Sequence, residues 1–156
     1  MVYVFDTSSF IVLSHYFPER FPSFWQSFDE FVSNGKILSV REVARELNVD
    51  VNKPHLREWM EANKSVFLKP DQEEMTFVSE IFAIAHFQYL VTQKQRLKGT
   101  PVADPFVIAS ARIRQACVVT EEGKKKNAAR IPNVCEYFGV DCTNLEGFME
   151  RERWRF

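Results

Sequence analysis

The chain begins with Val2-Tyr3-Val4-Phe5-Asp6-Thr7-Ser8-Ser9-Phe10, in which strand-forming apolar residues run straight into an acid and three hydroxyls. An apolar run without alternation suits a strand covered on both faces, the habit of parallel sheets in α/β proteins. The expected fold is therefore α/β, a parallel β-sheet flanked by helices on both faces. Ligands of such sheets gather outside the carboxyl ends of the strands. Asp6 is the first residue past that end, so its carboxylate is expected to project into the crevice, with Thr7, Ser8 and Ser9 available to cap the following helix. A lone Asp after a strand more often starts a turn, so the meaning of Asp6 depends on what else shares this sheet edge.

Strand and helix patterns alternate along the rest of the chain. A short helix is expected over 8–16, broken by Pro18 and Pro22, and a second over 22–33. In the second, Phe21, Phe24, Trp25, Phe28, Phe31 and Val32 recur at helical spacing, and Asn34-Gly35 provides the stop. Residues 37–40 read as a second strand and 41–47 as the helix leaving its carboxyl end. Glu42 and Glu46 lie one helical turn apart on that helix, so either could face the sheet edge. The segment 53–98 is mainly helical and polar, with 66–68 a short strand inside it. In Ala103-Asp104-Pro105-Phe106, Asp104 stands at a cap position and Pro105 at a first helical position, opening a helix to Gln115. Residues 117–120 read as a buried strand ending in Glu121-Glu122-Gly123. A short helix led by Ile131-Pro132-Asn133, an edge strand at 140–142 and a closing helix over 145–153 complete the pattern.

Composition sets the outer bounds. A chain of 156 residues, 46% hydrophobic and 14% aromatic, has ample material for the core of a single domain spanning 1–156. No apolar run approaches the ~20 residues of a membrane span, and the amino terminus lacks a secretory pattern, so a cytoplasmic protein is expected. Cys117, Cys135 and Cys142 are odd in number with no close C-x-x-C pair, which argues for buried thiols over a disulfide framework or structural zinc. His15, His55 and His86 have no motif context. The formal charge is −1, so no global field announces a nucleic-acid partner. Local basic clusters remain: Lys94, Arg96 and Lys98 precede one acid, Lys124, Lys125, Lys126 and Arg130 follow another, and Arg151, Arg153 and Arg155 end the chain as a solvated face.

The junctions of strand and helix carry acids: Asp6, Asp104, Glu121 or Glu122, and Glu42 or Glu46. Carboxylates gathered at one sheet edge repel unless they are protonated or neutralised by a cation. Mg²⁺ takes oxygen ligands, keeps several waters and is commonly held by few carboxylates together with substrate phosphate. The implied chemistry is metal-assisted attack on a phosphodiester.

These motifs resemble the PIN domain, the nuclease fold of toxins in many type II toxin–antitoxin systems. Asp6-Thr7-Ser8-Ser9 resembles its opening strand-Asp-Thr-Ser signature, and Ser39-Val40-Arg41-Glu42-Val43-Ala44-Arg45-Glu46-Leu47 its glutamate-bearing helix, with Glu46 the better match for the site acid. The stretch from Ala103 to Ala111 resembles the third-acid motif, and Val118-Val119-Thr120-Glu121-Glu122 the strand that ends in Thr-x-Asp. Ile131-Pro132-Asn133-Val134-Cys135 and Phe138-Gly139-Val140 look like a less studied PIN-like branch. The resemblance covers nearly the whole chain and implies a Rossmann-like three-layer sandwich and an endoribonuclease using Mg²⁺ or Mn²⁺. It implies that Asp6, Glu46, Asp104 and Glu122 form the catalytic and metal-binding set, with Ser8, Ser9 and Thr120 orienting acids or waters behind it. It also implies RNA as substrate, steered by Lys124, Lys125, Lys126 and Arg130, and an antitoxin partner. Between the adjacent glutamates, strand alternation puts Glu122 on the side of Thr120, and Gly123 lets the chain turn after it.

Two other readings compete. A noncatalytic PIN-like module would bind nucleic acid or protein through the same fold. A phosphoryl-transfer enzyme would use Asp6 as acceptor, but Ser8 stands where an Asp-x-Asp pattern needs its second acid. The aromatic helix face over 21–32 holds more ring area than one sheet side requires, so a second copy or an antitoxin is expected to cover it in part.

Overall fold

The computed structural model describes residues 1–91 and 102–156; the basic residues Lys94, Arg96 and Lys98 lie outside the described residues. Strand β1 (Tyr3–Phe5) leads into helix α1 (Thr7–Leu13) and then α2 (Pro22–Ser33). Strand β2 (Ile37–Val40) passes without a loop into α3 (Arg41–Asp50), followed by α4 (Pro54–Ala62), a 3-10 turn and β3 (Phe67–Leu68). Helix α5 (Gln72–Ala83) and a 3-10 segment (Ala85–Leu90) precede α6 (Asp104–Arg114) and β4 (Cys117–Val119). Helix α7 (Ile131–Phe138), β5 (Cys142–Thr143) and α8 (Leu145–Arg151) close the chain.

All strand pairs are parallel, in the order β3-β2-β1-β4-β5. The chain first builds outward from the central β1 through β2 to β3, then crosses back to β4 on its other side. The order reverses between β1 and β4, the switch point at which open α/β sheets leave a crevice beyond their carboxyl ends. Tyr3 pairs with Ile37 on one side and Cys117 on the other, so β1 is bonded along both edges. Tyr3, Val4 and Phe5 are accordingly all buried, which is why the run carries no polar alternation.

Phe5 points to the layer formed by α2 and α8, with ring centroids 5.6 Å from Phe28 and 5.3 Å from Phe148. Trp59 of α4 extends the cluster to Phe28 and Phe10 at 5.5 and 5.8 Å. Val4, one residue away, faces the opposite layer, where α6 lies against β1, β2 and β4 and buries Ile108, Ala109, Ser110 and Ala111. Short side chains on that helix allow close approach to the sheet. Cys117 and Cys135 are buried and Cys142 half-buried, all three as free thiols.

The aromatic face of α2 serves largely as core: Phe24, Trp25 and Phe28 are buried, Phe31 packs on Phe148 and Trp154, and Phe21 stays 44% exposed. The ring area that seemed surplus for one sheet side is taken up by Trp59 and Trp154, which come from remote segments. Helix α6 also begins one residue earlier than the sequence pattern suggests. Ala103 is its N-cap and Asp104 its first residue.

Truncating Phe28 to Ala removes a ring with no exposure that touches Phe5, Phe24, Trp25 and Trp59. We expect a loss of about 3–5 kcal/mol, read as a lower urea midpoint with unchanged slope.

Candidate active site

The carboxyl end of β1 sets the first acid. Asp6 extends the ladder, its N–H donating to the Val119 carbonyl at 3.0 Å, and then serves as N-cap of α1, accepting from the Ser9 N–H at 3.0 Å. Its other oxygen accepts from the Thr120 hydroxyl at 2.6 Å, and the Ser8 hydroxyl lies 2.8 and 3.0 Å from the two oxygens. The Ser9 hydroxyl instead donates to the Val119 carbonyl at 2.8 Å and fastens α1 to β4. Asp6 is only 3% exposed. Burial pushes its carboxyl up to about 6, against the hydrogen bonds from Thr120, Ser9 and Ser8, and the nearby charge of Glu122 pushes the same way.

Glu46 lies in the second turn of α3 and joins two helix starts. It accepts from the Thr7 hydroxyl of α1 at 2.5 Å and from the Ala103 N–H at the cap of α6 at 2.9 Å. Burial raises its carboxyl, and Asp50 and Glu122 add to the rise. The alternative acid, Glu42, is buried and engaged by the Arg41 guanidinium at 3.0 and 3.2 Å, an ion pair on the same helix. Asp104 opens α6, and its carboxyl is held well above the usual range by burial first, then by Glu122, Asp6 and Glu46. Each of the other three acids thus lies close enough for its charge to act on Asp104.

The two adjacent glutamates diverge. The Glu121 carboxylate turns to the start of α8 and accepts from the Leu145 N–H at 2.7 Å. Glu122 accepts from the Ile131 N–H at the start of α7 at 3.0 Å, and its charge raises Asp6, Glu46 and Asp104. Because β4 ends at Val119, this divergence is produced by a turn and not by strand alternation. Its pins are the Glu122 N–H on the Thr120 hydroxyl at 3.1 Å and the Glu121 N–H on the Ser8 hydroxyl at 2.9 Å.

The basic residues follow on an exposed loop. Arg130 donates to the Gly123 carbonyl at 3.2 Å, Asn133 bonds the backbone of Lys125 on both sides, and Lys124 pairs with Glu136. At the carboxyl terminus Arg151 is bound to Asp141 at 2.7 Å. Sequence reasoning treated Thr7 as a cap residue only and had no signal for the Ala103 and Ile131 amides, since a backbone donor leaves no mark in residue identity. Among the described residues no group of three or more His, Cys, Asp or Glu side chains stands in a metal-holding arrangement.

Acids whose carboxyls are raised in the folded chain make folding weaker as they ionise. Native Asp6 holds its proton to about pH 6, whereas an unfolded Asp loses it near ~4, so between those values the native state binds more protons and stability falls as pH rises. The shift corresponds to about 3 kcal/mol for Asp6. Melting of the metal-free protein followed from pH 4 to 7 is expected to show this decline, and Asp6→Asn to flatten it; an unchanged profile in the variant would remove Asp6 as its source.

A family model described as "Domain of unknown function (DUF4411)" matches residues 3–156. Among solved structures, the chain is similar to the crystal structure of VapBC2 from Rickettsia felis bound to a DNA fragment from their promoter, with a TM-score of 0.51 and 14% identity over 92% of this chain and 98% of that one. No curated protein matches. At that identity the likeness speaks for the fold, which is PIN-like: a parallel sheet between two helical layers.

Proposed function

The chain belongs to the DUF4411 family, and we propose that it is a metal-dependent endoribonuclease acting as the toxin of a toxin–antitoxin pair. One observation carries the reading: Asp6, Glu46, Asp104 and Glu122 all stand at helix starts beside the switch point of the sheet, Asp6 on the Ser9 amide, Glu46 on the Ala103 amide, Asp104 as the first residue of α6 and Glu122 on the Ile131 amide. The PIN-like fold and the similarity to VapBC2 support the toxin assignment, with a protein antitoxin as partner. No helix among the described residues is long and apolar enough to cross a membrane, and the cytoplasm is the setting we propose.

The donor set fits a hard divalent cation, since every group at the site is a carboxylate or hydroxyl oxygen. Mg²⁺ commonly keeps several waters and needs only one or two carboxylates from the protein, so a closed cage of ligands is not required. Asp6, Glu46, Asp104 and Glu122 would hold Mg²⁺ or Mn²⁺. When bound, such an ion lowers the pKa of a bound water and stabilises charge on the scissile phosphate. The chain's own contribution is orientation. Thr120 and Ser8 fix the two oxygens of Asp6, and Thr7 with the Ala103 amide fixes both oxygens of Glu46. Lys124, Lys125, Lys126 and Arg130 supply positive charge for the RNA backbone just beyond Glu122.

Cleavage of mixed RNAs with Mn²⁺ tests the proposal. Asp6→Asn and Asp104→Asn should each reduce cleavage to background, and Thr120→Val should lower it about 10–100-fold by releasing one oxygen of Asp6. Binding without cleavage in the wild type would instead support a noncatalytic module of the same fold. Glu122→Gln should cost far more activity than Glu121→Gln, because the latter residue serves the start of α8; the reverse ranking would reassign the fourth acid. A cation that neutralises the cluster should also stabilise the fold, by about 2.7 kcal/mol at 100 times its Kd. Addition of Mn²⁺ should therefore raise the melting temperature in the wild type and not in Asp104→Asn.

A further inference from the structure

Two of the three free thiols are partners. Cys135 is buried on α7 and Cys142 is half-buried on β5. Gly139, in the left-handed region at φ 67°, turns the chain between these elements, and the Val140 N–H then donates to the Cys135 carbonyl at 2.8 Å. The return is tight enough for the Cys135 thiol to donate a hydrogen bond to the Cys142 sulfur. Cys117 is engaged elsewhere: its thiol donates to the Val118 carbonyl at 3.5 Å, and its sulfur accepts from Arg151 at 3.3 Å.

The paired thiols differ in access and in character. Cys135 has no exposure, whereas Cys142 lines a cleft of about 420 Å³ that also contains Thr120 and Glu122. The hydrogen bond from Cys135 lowers the Cys142 thiol below its ordinary value, against burial and the charges of Asp6, Asp141 and Glu122, and keeps the proton on Cys135. The thiolate is the nucleophile of cysteine chemistry, so the accessible sulfur is also the reactive one. A reactive thiol poised beside a second, resolving thiol is the arrangement of redox-sensing cysteines.

We propose that Cys142 is a site of oxidation by hydroperoxides and that Cys135 converts its oxidised form to an intramolecular disulfide joining β5 to α7. The proposal stands apart from the ribonuclease reading. In the first step the Cys142 thiolate attacks one oxygen of hydrogen peroxide. An S–O bond forms, the O–O bond breaks, and the second oxygen leaves as hydroxide, which takes up the proton lost by Cys142. In the second step the Cys135 sulfur attacks the sulfenic sulfur; the S–S bond forms, the S–O bond breaks, and water leaves with the Cys135 proton. The two thiols lose two electrons, and the peroxide is reduced to two waters. Disulfides of cytosolic proteins are usually transient and redox-sensing, which agrees with the cytoplasmic setting proposed above.

The bond acts on the acid edge because the elements it joins support that edge. The Ile131 N–H at the start of α7 donates to Glu122 at 3.0 Å, and the Thr120 N–H donates to the Thr143 carbonyl of β5 at 2.9 Å. A disulfide brings its sulfurs to about 2.05 Å, closer than a hydrogen bond between thiols, so closure draws together the segments that hold Glu122 and Thr120.

Hydrogen peroxide on the full chain, followed by denaturation, alkylation with N-ethylmaleimide and intact mass, tests the pair. The wild type should pass from three alkylated thiols to one, with a 135–142 link in the peptide map, and dithiothreitol should restore all three. Cys117→Ser should still form the link. In Cys135→Ala the reaction should stop at a sulfenic acid on Cys142, captured by dimedone; Cys135→Ser should behave alike, which separates loss of the resolving thiol from a packing defect. Cys142→Ser should take up no dimedone. Three alkylated thiols after peroxide, a link through Cys117, or dimedone on Cys135 in Cys142→Ser overturns the proposal. Cleavage with Mn²⁺ is scored separately after the peroxide is removed. Oxidation should lower it at least about tenfold in the wild type and leave Cys142→Ser unaffected; cleavage unchanged by the link, or lost equally in Cys142→Ser, overturns its action on the acid edge. A wild type that forms the link and cleaves RNA in neither state keeps the thiol pair and overturns the nuclease reading.

Discussion

The hydrogen bond from Thr120 to Asp6 joins residues 114 positions apart in sequence and spans the point where the sheet order reverses. It closes the crevice between β1 and β4 at their carboxyl ends and holds a carboxylate there that water barely reaches. The Asp6 amide continues the β1–β4 ladder, and its side chain caps α1. The same atoms therefore set the strand register, start a helix and place the first acid of the site. Shared duty of this kind explains why Asp6 cannot relax away from its neighbours. A carboxylate bound on both oxygens and fixed at a strand end has no other rotamer that keeps its partners, so the repulsion at this edge is retained by the fold.

The other acids reach the same edge through helix starts. In a parallel sheet each crossover helix begins where a strand ends, so helix amino termini cluster beside the carboxyl ends of the strands. Asp6 caps α1, Glu46 accepts from the cap residue of α6, Asp104 opens α6, and Glu122 accepts from the first amide of α7. Each such terminus favours a negative charge by roughly 0.3–1 kcal/mol. For Asp6 that gain is smaller than the opposing cost of burial and neighbouring charge, about 3 kcal/mol from its displacement to about 6. The helix termini attract the acids to the edge, and the acids then exceed what the termini can neutralise. A bound cation is the simplest way to balance that excess.

Much of this was legible in the chain because the cues are local. The unbroken apolar run of β1, the Pro22 helix start and the Asn34-Gly35 stop all act within a few residues. Asp6, Asp104 and the glutamate pair were visible as acids at strand–helix junctions. What could not be read depends on remote geometry. Strand alternation pointed to Glu122, whereas the structure turns both glutamates after β4 has ended, using the hydroxyls of Ser8 and Thr120 as pins. Asp104 looked like an N-cap because Pro105 follows it, yet the Glu46 carboxylate takes up the Ala103 amide and the helix begins at Asp104 itself. The rings of α2 looked like surplus because Trp59 and Trp154, which cover them, come from distant parts of the sequence.

The aromatic layer also explains how the fold bears the acid edge. Phe5, directly before Asp6, has no exposure, and Phe10, Phe28 and Phe148 around it have none either. Burying one such ring is worth about 1.5–3 kcal/mol, comparable to the penalty of ionising Asp6. The stabilising layer lies within one residue of the destabilising group, so the strand end is clamped where the repulsion acts. Tyr89 and Tyr137, in contrast, belong to the 3-10 segment and α7, which pack on α5 and α6 respectively, on the sheet face opposite this layer. Their rings can lie open to solvent without weakening that clamp, since the phenylalanines behind Tyr137 are packed against one another and against Phe77. Rigidity beneath α7 and at β1 thus comes from separate clusters, only one of which borders the acids.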